Sequence, residues 1–294
     1  MRPFLKLLLA GYLSMLLPTL AFSQNAAGQR LSWFPKVDLT TGFQRFYFYW
    51  GYNRATFSKS DIHFSGLEYD FTLFNVAAKD RPTKFSVKTY FGPTTISIPQ
   101  YDYRLGFFLT RHFAISVGVD HLKYVVVNEQ TVQMSGIVSE QASPQYAGTY
   151  LRRPVRLTED FLRFEHTDGL NLANLDLEYH LRVLQWTRPH LALHLLAGLG
   201  GIWVVPRTDV HVFGHGLNNK FHLAGYSLAG KLGLRLYVLK RLFLMAETKA
   251  GYITLPDILL YNEQPERANQ NIFFWEKMGA VGFDFNLGRH NKHH

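Results

Sequence analysis

Three short stretches hold residue types that could do chemistry. In the first, His63-Phe64-Ser65 follows Asp61 and precedes Glu68. Alternate residues of a strand share a face, so the His63 imidazole and the Ser65 hydroxyl would lie side by side. A carboxylate from Asp61 or Glu68 orienting that imidazole would complete the set a serine acyl hydrolase needs. In the second stretch Glu165, His166 and Asp168 lie close together, and in the third Asp209 precedes His211 and His215. Carboxylates and imidazoles from three loops over one rim are ligands that divalent metals accept. His211-x3-His215 has helical spacing, but Gly214 and Gly216 disfavour a helix there. Hydrogen bonding among loops is the simpler use of these groups, so neither a metal nor a cofactor is expected. Asp61, His63, Ser65 and His166 stand as the catalytic candidates. The glycine run 198–201 lacks the following Lys-Ser/Thr of a phosphate loop and reads as close packing within a strand.

A larger constellation comes from alternation. In 172–186, Ala173, Leu175, Leu177, Tyr179, Leu181 and Val183 share one parity, and Asn174, Asp176, Glu178, His180 and Arg182 the other. In 223–238, Tyr226, Leu228, Leu232, Leu234 and Leu236 oppose Ser227, Lys231, Gly233 and Arg235. In 101–109, Tyr101, Tyr103, Leu105, Phe107 and Leu109 oppose Asp102, Arg104 and Gly106. The segment 241–254 adds Glu247 and Lys249. In 273–287 Phe273, Trp275, Val281, Phe283 and Phe285 oppose Glu276, Asp284 and small residues, with Lys277 the exception on the apolar face. With Asp120, the polar face carries seven acidic and five basic residues plus His180. Such a face, turned inward in a narrow barrel, must pair its opposite charges across strands, because a lone buried ion is costly. A salt-bridged plug is therefore the expected use of Asp102, Arg104, Asp176, Glu178, Arg182, Lys231, Arg235, Glu247, Lys249 and Glu276.

The elements that must position these residues are strands. Eight are predicted, over 43–58, 99–110, 113–127, 172–186, 190–205, 220–238, 242–255 and 271–287, and 62–78 could raise the count to ten. Several exceed the usual five or six residues of a globular strand. Their connections alternate, short at 111–112, 187–189 and 240–241, long at 59–98, 128–169, 207–219 and 257–270. That alternation fits an all-β, closed antiparallel transmembrane β-barrel with long extracellular loops. A soluble sandwich is the rival, but the small residues on the polar face suit a cramped lumen better than a solvated surface.

Arg2 and Lys6, an apolar run over 7–21 and the small residues Ala21 and Ser23 have the layout of a secretory signal peptide over 1–23. Residues 24–294 then form a single outer-membrane barrel domain, with both ends in the periplasm. The chain has no cysteine, which excludes a disulfide-stapled fold. It is 15% aromatic and only 18% charged. The net charge of +9, or +7 once Arg2 and Lys6 leave, comes without a basic helix or nucleic-acid motif. Nucleic acid is excluded as a partner, and outer-membrane lipid and lipopolysaccharide phosphates are the expected ones. Trp186 and Trp203, with Tyr179, Tyr226, Tyr237 and Tyr252, are expected to form girdles at the lipid interfaces.

Gly282-Phe283-Asp284-Phe285-Asn286-Leu287 resembles the aromatic final-strand signal that outer-membrane barrels offer to the barrel-assembly machinery, although nine residues follow Phe285. Trp50-Gly51-Tyr52-Asn53-Arg54, Ser60-Asp61-Ile62-His63-Phe64 and Phe164-Glu165-His166-Thr167-Asp168-Gly169 resemble stretches of uncharacterised outer-membrane barrels of the Bacteroidetes type. The architecture is similar to small OmpA-like barrels. These resemblances imply a fold and a Gram-negative outer-membrane location, and no activity. His63-Phe64-Ser65 resembles the short motif of the lipid A deacylase barrels, with Gly66 in place of the Asn that follows in that family. The expected role is binding, adhesion or envelope support by a closed barrel with long loops. The rival readings are a lipid A- or phospholipid-modifying enzyme with a site at the rim, and a narrow pore or conduit for hydrophobic molecules. The sequence names no external ligand.

Overall fold

The structure, a computed structural model, describes residues 44–186, 191–216, 220–261 and 265–286, without the side chains of 167 and 168. The signal peptide, the turn at 187–189 and the basic tail at 289–294 lie outside the described residues. In chain order the strands are β1 (Phe46–Phe57), β2 (Ser60–Ser65), β3 (Tyr69–Val76), β4 (Ala78–Lys79), β5 (Tyr101–Phe108), β6 (Phe113–Val126), β7 (Thr131–Val138) and β8 (Gly148–Arg156). They continue as β9 (Leu162–Gln185), β10 (Ala192–Pro206), β11 (Asp209–Val212), β12 (Gly225–Tyr237), β13 (Leu242–Leu259) and β14 (Arg267–Phe285). One short helix, α1 (Val87–Phe91), lies between β4 and β5.

Eight of these strands form a ring, in the order β1-β5-β6-β9-β10-β12-β13-β14, every pair antiparallel. The ring closes because β14 pairs with β1 over twelve residues, from Phe46 opposite Phe285 to Phe57 opposite Phe274. Closure leaves the wall no free edge. The ring strands occupy the eight segments that alternation predicted. The 62–78 segment also forms strands, β2 and β3, but they stand outside the ring.

Burial is inverted relative to a soluble protein. Leu105, Val117, Leu177, Leu199, Leu228, Leu232, Leu244 and Val281 point outward and are exposed, whereas Arg104, Asp120, Glu178, Lys231 and Glu276 point inward and are buried. Exposing a belt of large apolar side chains to water while burying ions would be doubly unfavourable. In lipid the apolar belt is favourable outside and the ions are better paired in the lumen than turned to the hydrocarbon, which excludes the sandwich and makes the ring a membrane barrel. Of the expected girdle, Tyr179, Trp186, Trp203, Tyr226 and Tyr252 are exposed on the outer face. Tyr237 is not among them. It shares parity with Arg235, faces the lumen, and its hydroxyl donates to Asp284 Oδ2 at 2.7 Å.

The interior is crowded. A Cβ at Gly106 would lie 2.0 Å from the Tyr47 ring, and one at Gly200 would lie 1.9 Å from Asp176 Oδ1. Glycine is needed at these sites because another side chain already fills the space. Gly106→Ala is expected to cost about 1–3 kcal/mol through overpacking, read as a lowered urea midpoint of the folded barrel in detergent.

At the end with long connections the wall does not stop at the membrane. Residues 267–270 of β14 pair with β2, which leads through β3 and β7 to β8 in one continuous sheet. On the other side β11 pairs with residues 162–165 of β9, and β4 with β6. These extensions make β9 begin ten residues before its predicted start and β13 run to Leu259. They form a cap over the barrel. Its apolar core joins Ile62, Phe64, Phe71, Leu73, Met134 and Phe161 to the inward faces of Leu172, Val204, Ile253 and Phe274 in the wall. The upper lumen is therefore apolar, and the charged residues read from alternation lie below it.

Outside the wall, α1 is capped by Ser86, whose side chain accepts from Thr89 N at 3.1 Å. Tyr90 of α1 packs edge-on against the ring of Tyr52 on β1, with centroids 4.8 Å apart. Phe85, Val87 and Phe91 remain exposed beside it.

Candidate functional site

The buried charges form a layer across the middle of the lumen, supplied by β5, β6, β9, β12, β13 and β14. Arg104 on β5 bonds Asp120 Oδ1 through Nη2 at 2.9 Å and approaches Asp176 Oδ2 through Nε at 3.4 Å. Lys231 on β12 donates to Asp176 Oδ2 and Glu178 Oε1, each at 2.7 Å, and lies 3.8 Å from Glu247 Oε2. Lys249 on β13 donates to Asp120 Oδ2, with Glu276 Oε2 at 4.0 Å. Neutral groups complete the layer. Asn53 Nδ2 donates to Asp102 Oδ1 at 2.6 Å, Asn174 Nδ2 to Asp120 Oδ2 at 3.0 Å, and Ser116 Oγ to Glu178 Oε1 at 2.6 Å. The Tyr47 hydroxyl and His180 Nε2 both meet Glu178 Oε2.

Nine of the ten residues read from the sequence as the lumen network thus lie buried within the barrel. Arg182 does not: its side chain is exposed at the short-turn end. A register shift between β9 and β10 at Leu193–His194 lies beside it, and the two strands stay paired beyond that shift to Ala192 and Gln185. Arg235 sits below the layer, fully buried between the rings of Tyr47 and Phe243 at 4.4 and 4.1 Å, with Asp284 Oδ1 at 3.8 Å. Tyr47, Asn53 and Ser116 were not singled out from the sequence. Tyr47, Tyr49 and Asn53 do share one parity of β1, but aromatics on both parities between Phe46 and Tyr52 hid the pattern.

Oxygens of Asp102, Asp120 and Glu276 lie within 4.8 Å of one another, a donor set that hard cations accept. The Lys249 ammonium already stands at Asp120 and faces Glu276, so a cation is in place. The three cations of the layer pair with Asp120, Asp176 and Glu178, and Asp102, Glu247 and Glu276 lie around them as further buried acids.

The catalytic candidates are distributed differently. His63 Nε2 meets Asp70 Oδ1 at 3.1 Å, and His63 Nδ1 meets the Asn269 side-chain amide at 3.0 Å. The orienting carboxylate is therefore Asp70 on β3. Asp61 instead accepts from Asn75 N at 2.8 Å, where Asn75 adopts a φ of 55°, and Glu68 accepts from Ser139 Oγ at 2.8 Å. Ser65 shares the face of His63, but its Oγ donates to the backbone oxygen of Arg267 at 3.4 Å. His166 is buried elsewhere, between Tyr124 and Phe164, with Nδ1 at 2.9 Å from Thr208 Oγ1. Glu165 pairs with Arg81 and Arg163, and Asp209 with Arg163 and His211. Among the described residues no hydrogen bond joins His63 or His166 to Ser65. The loop groups knit the cap together.

A closed ring with a lipid-facing apolar belt, an ionic lumen, short turns at one end and β-extensions at the other defines an outer-membrane β-barrel protein. No protein-family model and no curated protein matches the chain. Among solved structures it is similar to Neisserial surface protein A, with 12% identity, 82% of this chain and 97% of that chain covered, and a TM-score of 0.33. It is also similar to the outer-membrane protease OmpT from Escherichia coli, at 9% identity, 82% and 97% coverage and a TM-score of 0.29. A FadL homologue from Pseudomonas aeruginosa aligns at 9% identity over 83% of this chain and 91% of that chain, with a TM-score of 0.19.

Proposed function

We propose that this protein is a closed, non-conducting outer-membrane barrel that holds a rigid β-sheet cap outside the cell for binding, adhesion or envelope support. One observation carries the reading: the lumen is filled at three successive levels. Tyr47, Phe108, Tyr237 and Phe243 fill the lumen just inside the mouth at the short-turn end. The ion-pair layer fills the middle, and the apolar core of the cap fills the top. A channel for ions or for hydrophobic molecules would require one of these levels to be open. Outer-membrane lipid and lipopolysaccharide would surround the apolar belt, and the barrel-assembly machinery would meet β14 during insertion. The likeness of 50–54 and 60–64 to barrels of the Bacteroidetes type agrees with such an envelope role.

Planar bilayers test the reading directly. Protein whose folding has been verified by heat-modifiable gel migration is expected to leave bilayer conductance at baseline in 1 M KCl. Stable unitary currents from the unmodified chain would overturn the closed-barrel reading and favour a pore.

A further inference from the structure

The mouth at the short-turn end encloses a cavity of about 420 Å³. Arg111, from the turn between β5 and β6, Arg182 on β9 and Lys240, from the turn between β12 and β13, converge on it. No ion pair is present at these three among the described residues. The one carboxylate lining the cavity is Asp284, which already accepts the Tyr237 hydroxyl at 2.7 Å. Exposed cations alone would make only a diffuse attraction for anions.

Two buried groups make the site more specific. His180 lines the cavity, is 2% exposed, and uses Nε2 on Glu178 while its Nδ1 has no hydrogen-bond partner. Arg235 is wholly buried beside Tyr237 and Asp284, with the Tyr237 hydroxyl next to its guanidinium and Asp284 Oδ1 no nearer than 3.8 Å. Buried polar groups rarely go without partners, because an unmet one costs free energy. Three exposed cations line this mouth against one carboxylate, and Arg235 is buried behind that carboxylate. The guanidinium fork is matched to the oxygens of phosphate and carboxylate groups.

We propose that this mouth is a binding site for an oxyanion, a phosphate-type group presented either by a small periplasmic solute or by a lipid headgroup of the inner leaflet. The site lies at the opposite end from the cap and does not depend on the closed-barrel reading. A conducting barrel would leave it standing.

Calorimetric titration of the folded protein in neutral detergent tests it. The probes are inorganic phosphate, inorganic pyrophosphate and a short-chain phosphatidylglycerol kept below its micellar concentration. At least one is expected to give a saturable one-site isotherm. Arg182→Gln combined with Lys240→Gln is expected to weaken it at least tenfold, equivalent to about 1.4 kcal/mol. Both side chains are exposed, so heat-modifiable migration should be retained. Arg235→Lys, which keeps the charge and loses the fork, should weaken binding separately. Binding of the free anions assigns a soluble ligand, and binding of the lipid alone assigns a headgroup. Absence of saturable binding to all three probes, or binding unchanged in the double variant, overturns the site.

Discussion

Arg104→Met is expected to lower the stability of the barrel by about 3–5 kcal/mol, the cost of breaking a buried ion pair from one side. The guanidinium is 1% exposed and stands between Asp120 and Asp176, so its removal leaves two carboxylates of neighbouring strands without the cation that joins them. Lys249 still compensates Asp120, and Lys231 still compensates Asp176, which keeps the loss within that range. Adding Asp120→Asn should recover part of it, because the orphaned charge is then removed as well. The buried lumen holds seven carboxyl groups against four cations: Arg104, Lys231, Arg235 and Lys249. Removing an acid is therefore expected to cost less than removing a base, and Glu276→Gln should be the mildest change in the layer. Urea titration of the heat-modifiable band measures all of these. A shift below about 1 kcal/mol for Arg104→Met would show that the layer contributes little to stability.

Phe71→Ala should unfold the cap while sparing the wall. Phe71 is 1% exposed and touches the rings of Phe64, Tyr69, Phe161 and Phe213, which lie on β2, on β3 and in two separate loop-end connections. Truncating a buried phenylalanine typically costs about 3–5 kcal/mol. In the cap that loss falls on a sheet anchored to the wall by only four residue pairs of β14 with β2, together with β4 and β11. Limited proteolysis of whole cells should then cut within 60–160 at least tenfold faster than in the parent, while the barrel still migrates as a folded species. Unchanged protection would mean that the cap does not depend on this aromatic core. Loss of folded migration as well would mean that wall and cap fold as one unit.

The wall was legible in the sequence because lipid and lumen impose a strict period of two on every spanning residue. Lys277 was the one clear violation, and it lies on the outer face with its ammonium 4.3 Å from the centre of the Trp275 ring. The ionic layer followed from the same period, and Arg182 failed because parity gives a face and not a depth. The cap was not legible. Its strands pair through register with distant segments, Asp70 rather than Asp61 reaches His63, and no local pattern distinguishes a loop-end strand from a spanning one. The anion site was hidden for the same reason, since Arg111, Arg182 and Lys240 are brought together only when the ring closes.

The seam between β1 and β14 also fixes the order of events in assembly. Phe46 waits for Phe285, at the far end of the chain, and β2 waits for residues 267–270 of the same last strand. Until β14 arrives, both early strands hold unpaired amide edges, the kind of template that recruits other chains. Contacts this distant in sequence are slow to form because the intervening chain must first give up its freedom. The export route must therefore keep the nascent chain apart from its neighbours over its whole length, and a chain truncated before Arg267 would lose the seam of the wall and the anchor of the cap together.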